Sequence, residues 1–217
     1  MSARPSKSSL HLEVLTPPQR EVLRLLAPHV IREGFYLGGG TALALRLGHR
    51  RSVDFDWFRE KGIPDPLRCA RDLQSRGLPL EVERTDPDTL HALVRGVRVT
   101  LLAYPYPLLQ PAAESPQLGS RLASLDDLAA MKLAAVSQRG IRRDFFDVEA
   151  LGRAGLDLPR MLSLYQAKYG VRDVGHVLAA LTYFDDAERD PEPVLDAKRD
   201  WESVKATLRE SVKRYAG

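Results

Sequence analysis

The segment at residues 36–58, YLGGGTALALRLGHRRSVDFDWF, restricts the possible folds more than any other part of the chain. A short apolar run ends in three glycines, which adopt backbone conformations that other residues avoid and let the backbone approach an anion. The apolar spacing that follows predicts a helix capped by Thr41. Strand-like alternation then places Asp54 and Asp56 on one face, about 6.6 Å apart. The segment therefore predicts a strand, a glycine turn, a helix and a second strand.

Both halves of this segment have two interpretations. The glycine turn is either a tight connection without a ligand, or an anion site built from backbone N–H groups and the positive end of a helix dipole. The two aspartates are either solvent-facing strand residues or ligands of Mg²⁺, whose charge removes their mutual repulsion. Taken together, the turn offers donors for a triphosphate, while Asp54 and Asp56 offer ligands for its metal.

Composition limits the class of protein. Hydrophobic residues make up 44% of the chain and charged residues 28%, which is typical of a soluble protein, and no apolar run has the length of a membrane helix. The first residues lack the apolar core of a secretory signal, and the single cysteine, Cys69, excludes an intramolecular disulfide. We therefore expect a cytoplasmic protein without a membrane partner. The net charge of +3 permits a nucleic-acid partner but does not argue for one.

The pattern of elements predicts an α/β (α+β) fold with a sheet-bearing first half and a helical second half. Residues 1–14 are interpreted as a flexible leader, residues 15–110 as the α/β core, and residues 111–217 as a helical region that completes the site. The boundary is predicted within PYPLLQPAAESPQ, which holds four of the 15 prolines.

Two charged residues lie on apolar helix faces in the second half. Lys132 lies within an apolar stripe, so its ammonium must pair with a carboxylate, bind a phosphate, or extend to solvent along its aliphatic stem. Asp144 also lies on an apolar face and needs a cation. Lys132, a metal ion, or the neighbouring Arg142 and Arg143 could supply that charge.

Two separated blocks, the opening segment and SLDDLAAMKLAAVSQRGIRRDFFDVEAL, resemble the AbiEii/AbiGii toxin-like nucleotidyltransferases, a branch of the DNA polymerase β-like nucleotidyltransferase superfamily. The resemblance covers residues 17–151. It implies a nucleotidyltransferase-fold mixed sheet flanked by helices, and an enzyme that transfers a nucleoside monophosphate from an NTP to an acceptor hydroxyl on RNA, such as tRNA, or on protein. It also implies the toxin of a toxin–antitoxin pair, with an antitoxin protein as partner.

The resemblance further implies which residues form the site. The nucleotide would be bound by Gly39, Gly40, Thr41, Arg50 and Lys132. Asp54 and Asp56 would hold Mg²⁺, and the catalytic set would be Asp54, Asp56, Lys132 and Asp144, with Asp147 as a further member. Classical members of the superfamily add a third carboxylate from a later strand, where this chain has Thr100.

Two alternatives to nucleotide transfer remain open from the sequence. The missing carboxylate favours a catalytically inactive nucleotide- or RNA-binding module on the same scaffold. The other alternative is phosphodiester hydrolysis at the same metal site. His49 adjoins the candidate site, and we expect it to pack or to cap its helix rather than to act in catalysis.

Overall fold

Seven strands form one mixed sheet at the centre of the protein. The computed structural model describes residues 10–195 and 199–217. The strands are β1 (Tyr36–Gly38), β2 (Phe55–Arg59), β3 (Leu80–Asp86), β4 (Thr89–Val94), β5 (Val97–Ala103), β6 (Ala113–Ser115) and β7 (Ser120–Leu122). Their order across the sheet is β3-β4-β5-β2-β1-β7-β6, with β2 parallel to β5 and β1 parallel to β7. The predicted α/β class with a mixed sheet is confirmed.

Eight α-helices in the described residues flank this sheet. They are α1 (Pro17–Arg32), α2 (Gly39–Leu47), α3 (Pro66–Ser75), α4 (Leu125–Gln138), α5 (Arg142–Arg153), α6 (Leu158–Tyr169), α7 (Gly175–Ala180) and α8 (Trp201–Ala216). The sequence also predicts N-caps at Thr16 and Ser124, and the structure confirms both, because their side chains accept backbone N–H bonds at the starts of α1 and α4. The last helix was predicted from residue 196, which lies outside the described residues.

The glycine turn differs from the prediction at one point. The helix α2 starts at Gly39 rather than after Thr41, and its N-cap is Gly38, which has no capping side chain. The glycines themselves make the turn, because Gly39 has a φ of +63°. Thr41 therefore lies inside the first turn, where its hydroxyl donates a hydrogen bond to the carbonyl oxygen of Asp54.

The sheet aligns four residues in one row. Gly38 of β1 is opposite Asp56 of β2, Asp56 is opposite Thr100 of β5, and Thr100 is opposite His91 of β4. Residues opposite each other on neighbouring strands point to the same face. The row places the second aspartate between the glycine turn and the polar side chains of β5 and β4.

The structure differs from the expectation at two places in the first half. The segment at residues 10–14 was assigned to a flexible leader, but a short 3₁₀ helix covers Leu12–Val14, and the N–H of His11 donates to Leu45. Apolar contact explains this order, since the Val14 side chain is buried. Residues 1–9 of that leader lie outside the described residues. The strand predicted around the two aspartates starts only at Phe55, so Val53 is exposed rather than buried.

The sheet continues beyond residue 110, because β6 and β7 add its last two strands before α4 begins. Further along the chain, α6 packs on α4, and the buried pair of Lys168 and Asp127 joins the two helices. The proposed division into a core and a helical region at residue 110 stays a prediction. Among the described residues, no helix is long and apolar enough to cross a membrane.

Candidate active site

The glycine turn lies directly against Asp56 and Arg50. A Cβ atom added at Gly39 would overlap Oδ2 of Asp56, and one added at Gly40 would lie 2.5 Å from Nη2 of Arg50. A larger residue at either glycine would require a side chain that is distant in sequence, Asp56 or Arg50, to shift. The structure brings the predicted residues of the turn together with Asp56 and Arg50.

Asp54 and Asp56 lie at the start of β2, at the end of the strand nearest the turn. Asp54 accepts a hydrogen bond from the Ser52 hydroxyl at 3.3 Å. Burial and the charge of Asp54 raise the pKa of Asp56 to about 6. Within residues 10–195 and 199–217, neither carboxylate takes part in an ion pair.

Lys132 on α4 is buried among carboxylates of α5. Its Nζ atom donates to Oδ1 of Asp144 at 3.0 Å and lies 2.7 Å from Oδ2 of Asp147. Its side chain is only 6% exposed. Of the three possibilities that the sequence left open, the structure has the ion pair with a carboxylate, and it brings together Lys132 and Asp144 as expected.

Three basic side chains contact the buried carboxylate of Asp147. Besides Lys132, it accepts two bonds from Arg50, at 2.6 and 2.9 Å, and one from Nε2 of His49 at 2.7 Å. His49 had been expected to pack or to cap a helix. Its contact with Asp147 instead joins the end of α2 to α5.

Arg139 is the residue of this cluster that sequence reasoning missed. Its guanidinium donates to both carboxylate oxygens of Asp144, at 2.8 and 3.1 Å. Arg142, which had been considered for that role, instead bonds to the carbonyl oxygens of Ala187 and Glu188. The signal for Arg139 was weak, because it ends α4 and reaches Asp144 only through the turn to α5.

The pKa values in the cluster follow from these contacts. Burial alone would raise the pKa of Asp144 and Asp147, but their basic partners lower both, and the pKa of Asp147 falls well below its usual range. Burial opposes the charge of Arg50, yet Asp147 raises its pKa above the usual value. The charges of Lys132, Arg139 and Arg143 act on Asp56 in the opposite direction to burial, but burial dominates and the pKa of Asp56 stays raised.

The donor set at the start of β2 suits a divalent cation. Two neighbouring carboxylates without an ion pair match the hard oxygen ligands that Mg²⁺ prefers. The described residues contain no group of three or more His, Cys, Asp or Glu side chains arranged to hold a metal. Asp54 and Asp56 could therefore supply only part of a coordination shell, and phosphate oxygens and water would have to complete it.

Sequence comparisons relate the chain to one described family and to one relative. Residues 96–215 match the family described as "Nucleotidyl transferase AbiEii toxin, Type IV TA system". That range contains Lys132 and Asp144 but not the glycine turn. An uncharacterised protein of Aquifex aeolicus (strain VF5) is 36% identical over 203 residues, which cover 93% of this chain and 97% of that protein.

Solved structures share the fold. JHP933 from Helicobacter pylori superposes with a TM-score of 0.56 at 18% identity, covering 95% of this chain and 93% of that one. MenT4, a nucleotidyltransferase toxin from Mycobacterium tuberculosis H37Rv, gives a TM-score of 0.53 at 16% identity, covering 90% of this chain and 80% of that one. At such low identities the likeness concerns the fold alone.

Proposed function

Because the chain belongs to the AbiEii nucleotidyltransferase toxin family, we propose that it transfers a nucleoside monophosphate from an NTP to an acceptor hydroxyl, with Mg²⁺, and releases pyrophosphate. One observation carries this proposal. Asp54 and Asp56 adjoin the glycine turn without an ion pair in the described residues, whereas Asp144 and Asp147 hold the nearby cations. The aspartate pair is therefore the part of the cluster that is ready for an added cation.

Each half of the opening segment has a role in this reaction. Asp54 and Asp56 would hold Mg²⁺, which when bound lowers the pKa of the acceptor hydroxyl and neutralises charge on the leaving pyrophosphate. The backbone N–H groups of Gly39, Gly40 and Thr41, at the positive end of α2, would bind the triphosphate. The Thr41 hydroxyl is engaged with the Asp54 carbonyl, so that side chain would position the aspartate rather than touch the nucleotide.

The buried cations would support the triphosphate from beneath the turn. Lys132 would contact it as a point charge, and Arg50 would face it beside Gly40. Both are held in place by Asp147, so their positions are set before the nucleotide arrives. Asp144 would complete the set by fixing Lys132 from its other side. Such preorganised charges act without reorganisation at the moment of reaction.

Removal of both strand carboxylates tests the metal and nucleotide site. The double variant Asp54→Asn with Asp56→Asn should lose Mg²⁺-dependent NTP binding, measured by titration calorimetry, while its circular dichroism spectrum stays unchanged. The exposed acidic pair offers a matched control, Asp185→Asn with Asp186→Asn, which changes charge equally and should bind as wild type. Equal NTP binding by wild type and the first variant would show that the site lies elsewhere.

The acceptor is proposed to be RNA in the cytoplasm, with a separate antitoxin protein as the regulatory partner. The test is to incubate the protein with each labelled NTP, Mg²⁺ and total cellular RNA, and then to identify the molecule that carries the label. Label on RNA supports the proposal, and the chemical form of the label identifies the nucleotide. Label on a protein band would move the acceptor to protein and would leave the reaction class intact.

A second candidate function is a nucleotide- or RNA-binding module without catalysis. It is favoured by Thr100, which lies opposite Asp56 where a further carboxylate would strengthen the metal site. This candidate predicts NTP binding without transfer of label to any acceptor. Transfer that depends on Asp54 and Asp56 would exclude it.

A further inference from the structure

A row of polar side chains leads from Asp56 toward the edge of the sheet. Thr100 of β5 is opposite Asp56, His91 of β4 is opposite Thr100, and Arg84 of β3 is opposite His91. Opposite residues on neighbouring strands have Cβ atoms about 4.5–5.5 Å apart. A hydroxyl and an imidazole therefore follow the candidate metal ligand on the same face of the sheet.

The two nitrogens of His91 contact different partners. Nε2 lies 3.2 Å from Oδ2 of Asp86, and Nδ1 lies 3.5 Å from Oγ1 of Thr100. Nε2 thus faces both an acceptor, Asp86, and a donor, Arg84. In the tautomer that donates Nε2–H to Asp86, Nδ1 is the acceptor that faces the threonine hydroxyl. Nη2 of Arg84 lies 3.1 Å from Nε2 and from Oδ2, and it forms an ion pair with Asp86. The contacts therefore connect Thr100 to His91 and His91 to Asp86.

This face of the sheet is open beyond Asp56. Along β4, the residues on the other face are buried, whereas the His91 side chain is 27% exposed. On β5, Thr100 is half-buried, and Arg98, on the same face, is exposed. A hydroxyl-bearing acceptor can therefore approach Thr100 from solvent without movement of a helix.

The carboxylates on the other side of Asp56 are already engaged. There the strand pairs with Gly38, and the carboxylates of α5 are ion-paired, with pKa values that their basic partners lower. A carboxylate with a lowered pKa is a poor base near neutral pH. The side chains of Thr100 and His91 are therefore better suited than these carboxylates to receive a proton.

We propose that Thr100 and His91, with Asp86 as the orienting group, take the proton of the acceptor hydroxyl during nucleotide transfer; this rests on the proposed function. The acceptor oxygen forms a bond to the α-phosphorus as the bond from that phosphorus to pyrophosphate breaks. The acceptor's proton passes to Oγ1 of Thr100, whose own proton passes to Nδ1 of His91. Asp86 stabilises the imidazolium that results.

A set of variants tests the relay. His91→Gln should lower kcat about 100-fold and leave the KM for NTP unchanged, because general-base catalysis contributes about 10²–10⁴-fold. The kcat of wild type should depend on pH through the imidazole that takes the proton, and the variant should lose that dependence. The charged groups that face His91 are Asp86 and Arg84 of β3 and Arg98 of β5, so Arg84→Gln and Arg98→Gln should retain the dependence. Thr89→Val, on the same face of β4, is the matched control.

A variant with a carboxylate in place of Thr100 gives the most specific test of the relay. In the His91→Gln background, Thr100→Asp should recover at least tenfold in kcat, because an acid at that position can take the proton directly. In the protein without nucleotide, nitrogen-15 NMR should show Nε2 of His91 protonated and Nδ1 bare, and Thr100→Val should shift only the Nδ1 signal. A His91→Gln variant with the kcat and pH profile of wild type, or a protonated Nδ1, would overturn the relay. Absence of transfer by wild type would instead refute the proposed function, and the relay with it.

Discussion

Arg50 and Asp147 meet through two parallel contacts, Nε to Oδ1 at 2.6 Å and Nη2 to Oδ2 at 2.9 Å, although 97 residues separate them. Their side chains are 4% and 0% exposed. The pair joins the loop before β2 to α5, and it places the guanidinium against Gly40. The helical half of the chain therefore fixes the side chain that closes the glycine turn.

Loss of the Asp147 charge should destabilise the protein strongly. Asp147→Asn leaves the buried Arg50 without an ion pair and removes one of the two acids around Lys132, so we expect a loss of about 3–5 kcal/mol in the free energy of unfolding. Urea denaturation measures this change. The exposed Asp72→Asn should change stability by less than about 0.5 kcal/mol. A similarly small loss for Asp147→Asn would mean that Arg50 finds another partner.

Acid should unfold the protein through the same cluster. The pKa values of Asp144 and Asp147 are lower in the folded state than in the unfolded chain, because basic partners outweigh burial. The folded state therefore binds fewer protons, so this stabilisation is complete above about pH 4 and is lost as the pH falls through the folded pKa values. Urea midpoints between pH 6 and 2 should fall steeply for wild type. The slope should be shallower for Asp144→Asn with Asp147→Asn, and equal slopes would contradict the assignment.

The glycine turn should not tolerate a methyl group. Gly39→Ala combines a φ of +63° with overlap of Oδ2 of Asp56, so NTP binding should be lost together with at least 1 kcal/mol of stability. Gly155→Ala is the matched control, since its φ of +96° is also positive but no atom lies within 4 Å of the added Cβ. It should lose stability and keep NTP binding. Calorimetric titration with NTP separates loss of binding from loss of stability. If both variants bind NTP as wild type does, the turn does not bind the nucleotide.

Local patterns in the sequence predicted much of this fold. The caps at Thr16 and Ser124 depend on side-chain bonds within one turn, and both helices start as expected. The mixed sheet was also predicted, and pairing with a carboxylate was one of the three possibilities that the sequence left for Lys132, because an ammonium on an apolar helix face needs a partner. The caps depend on hydrogen bonds within one helical turn, and the pairing of Lys132 depends on the free-energy cost of burying a charge without a partner.

Contacts between distant segments could not be predicted in the same way. The partners of Asp147 come from the loop before β2 and from α4. Arg139 contacts Asp144 across the turn between α4 and α5, and the periodicity of the sequence does not predict the path of that turn. The register that puts Thr100 between Asp56 and His91 is likewise a property of the assembled sheet, since a shift by one residue would reverse every side chain. The roles of these residues in nucleotide transfer stay predictions.

Two of the buried lysines, Lys132 and Lys168, should respond differently to replacement. Lys168→Met leaves Asp127 without its cation in a pair whose side chains are both 0% exposed, so about 3–5 kcal/mol of stability should be lost. Lys132→Met leaves Asp144 bonded to Arg139 and Asp147 bonded to Arg50, so the loss should be smaller, about 1–3 kcal/mol.

Binding should show the opposite order. At a temperature where both variants are folded, NTP affinity should fall for Lys132→Met and stay near wild type for Lys168→Met, because only Lys132 is proposed to face the triphosphate. Urea denaturation and calorimetric NTP titration on the same samples measure the two quantities. Equal losses of affinity would mean that Lys132 acts through the fold rather than through contact with the nucleotide.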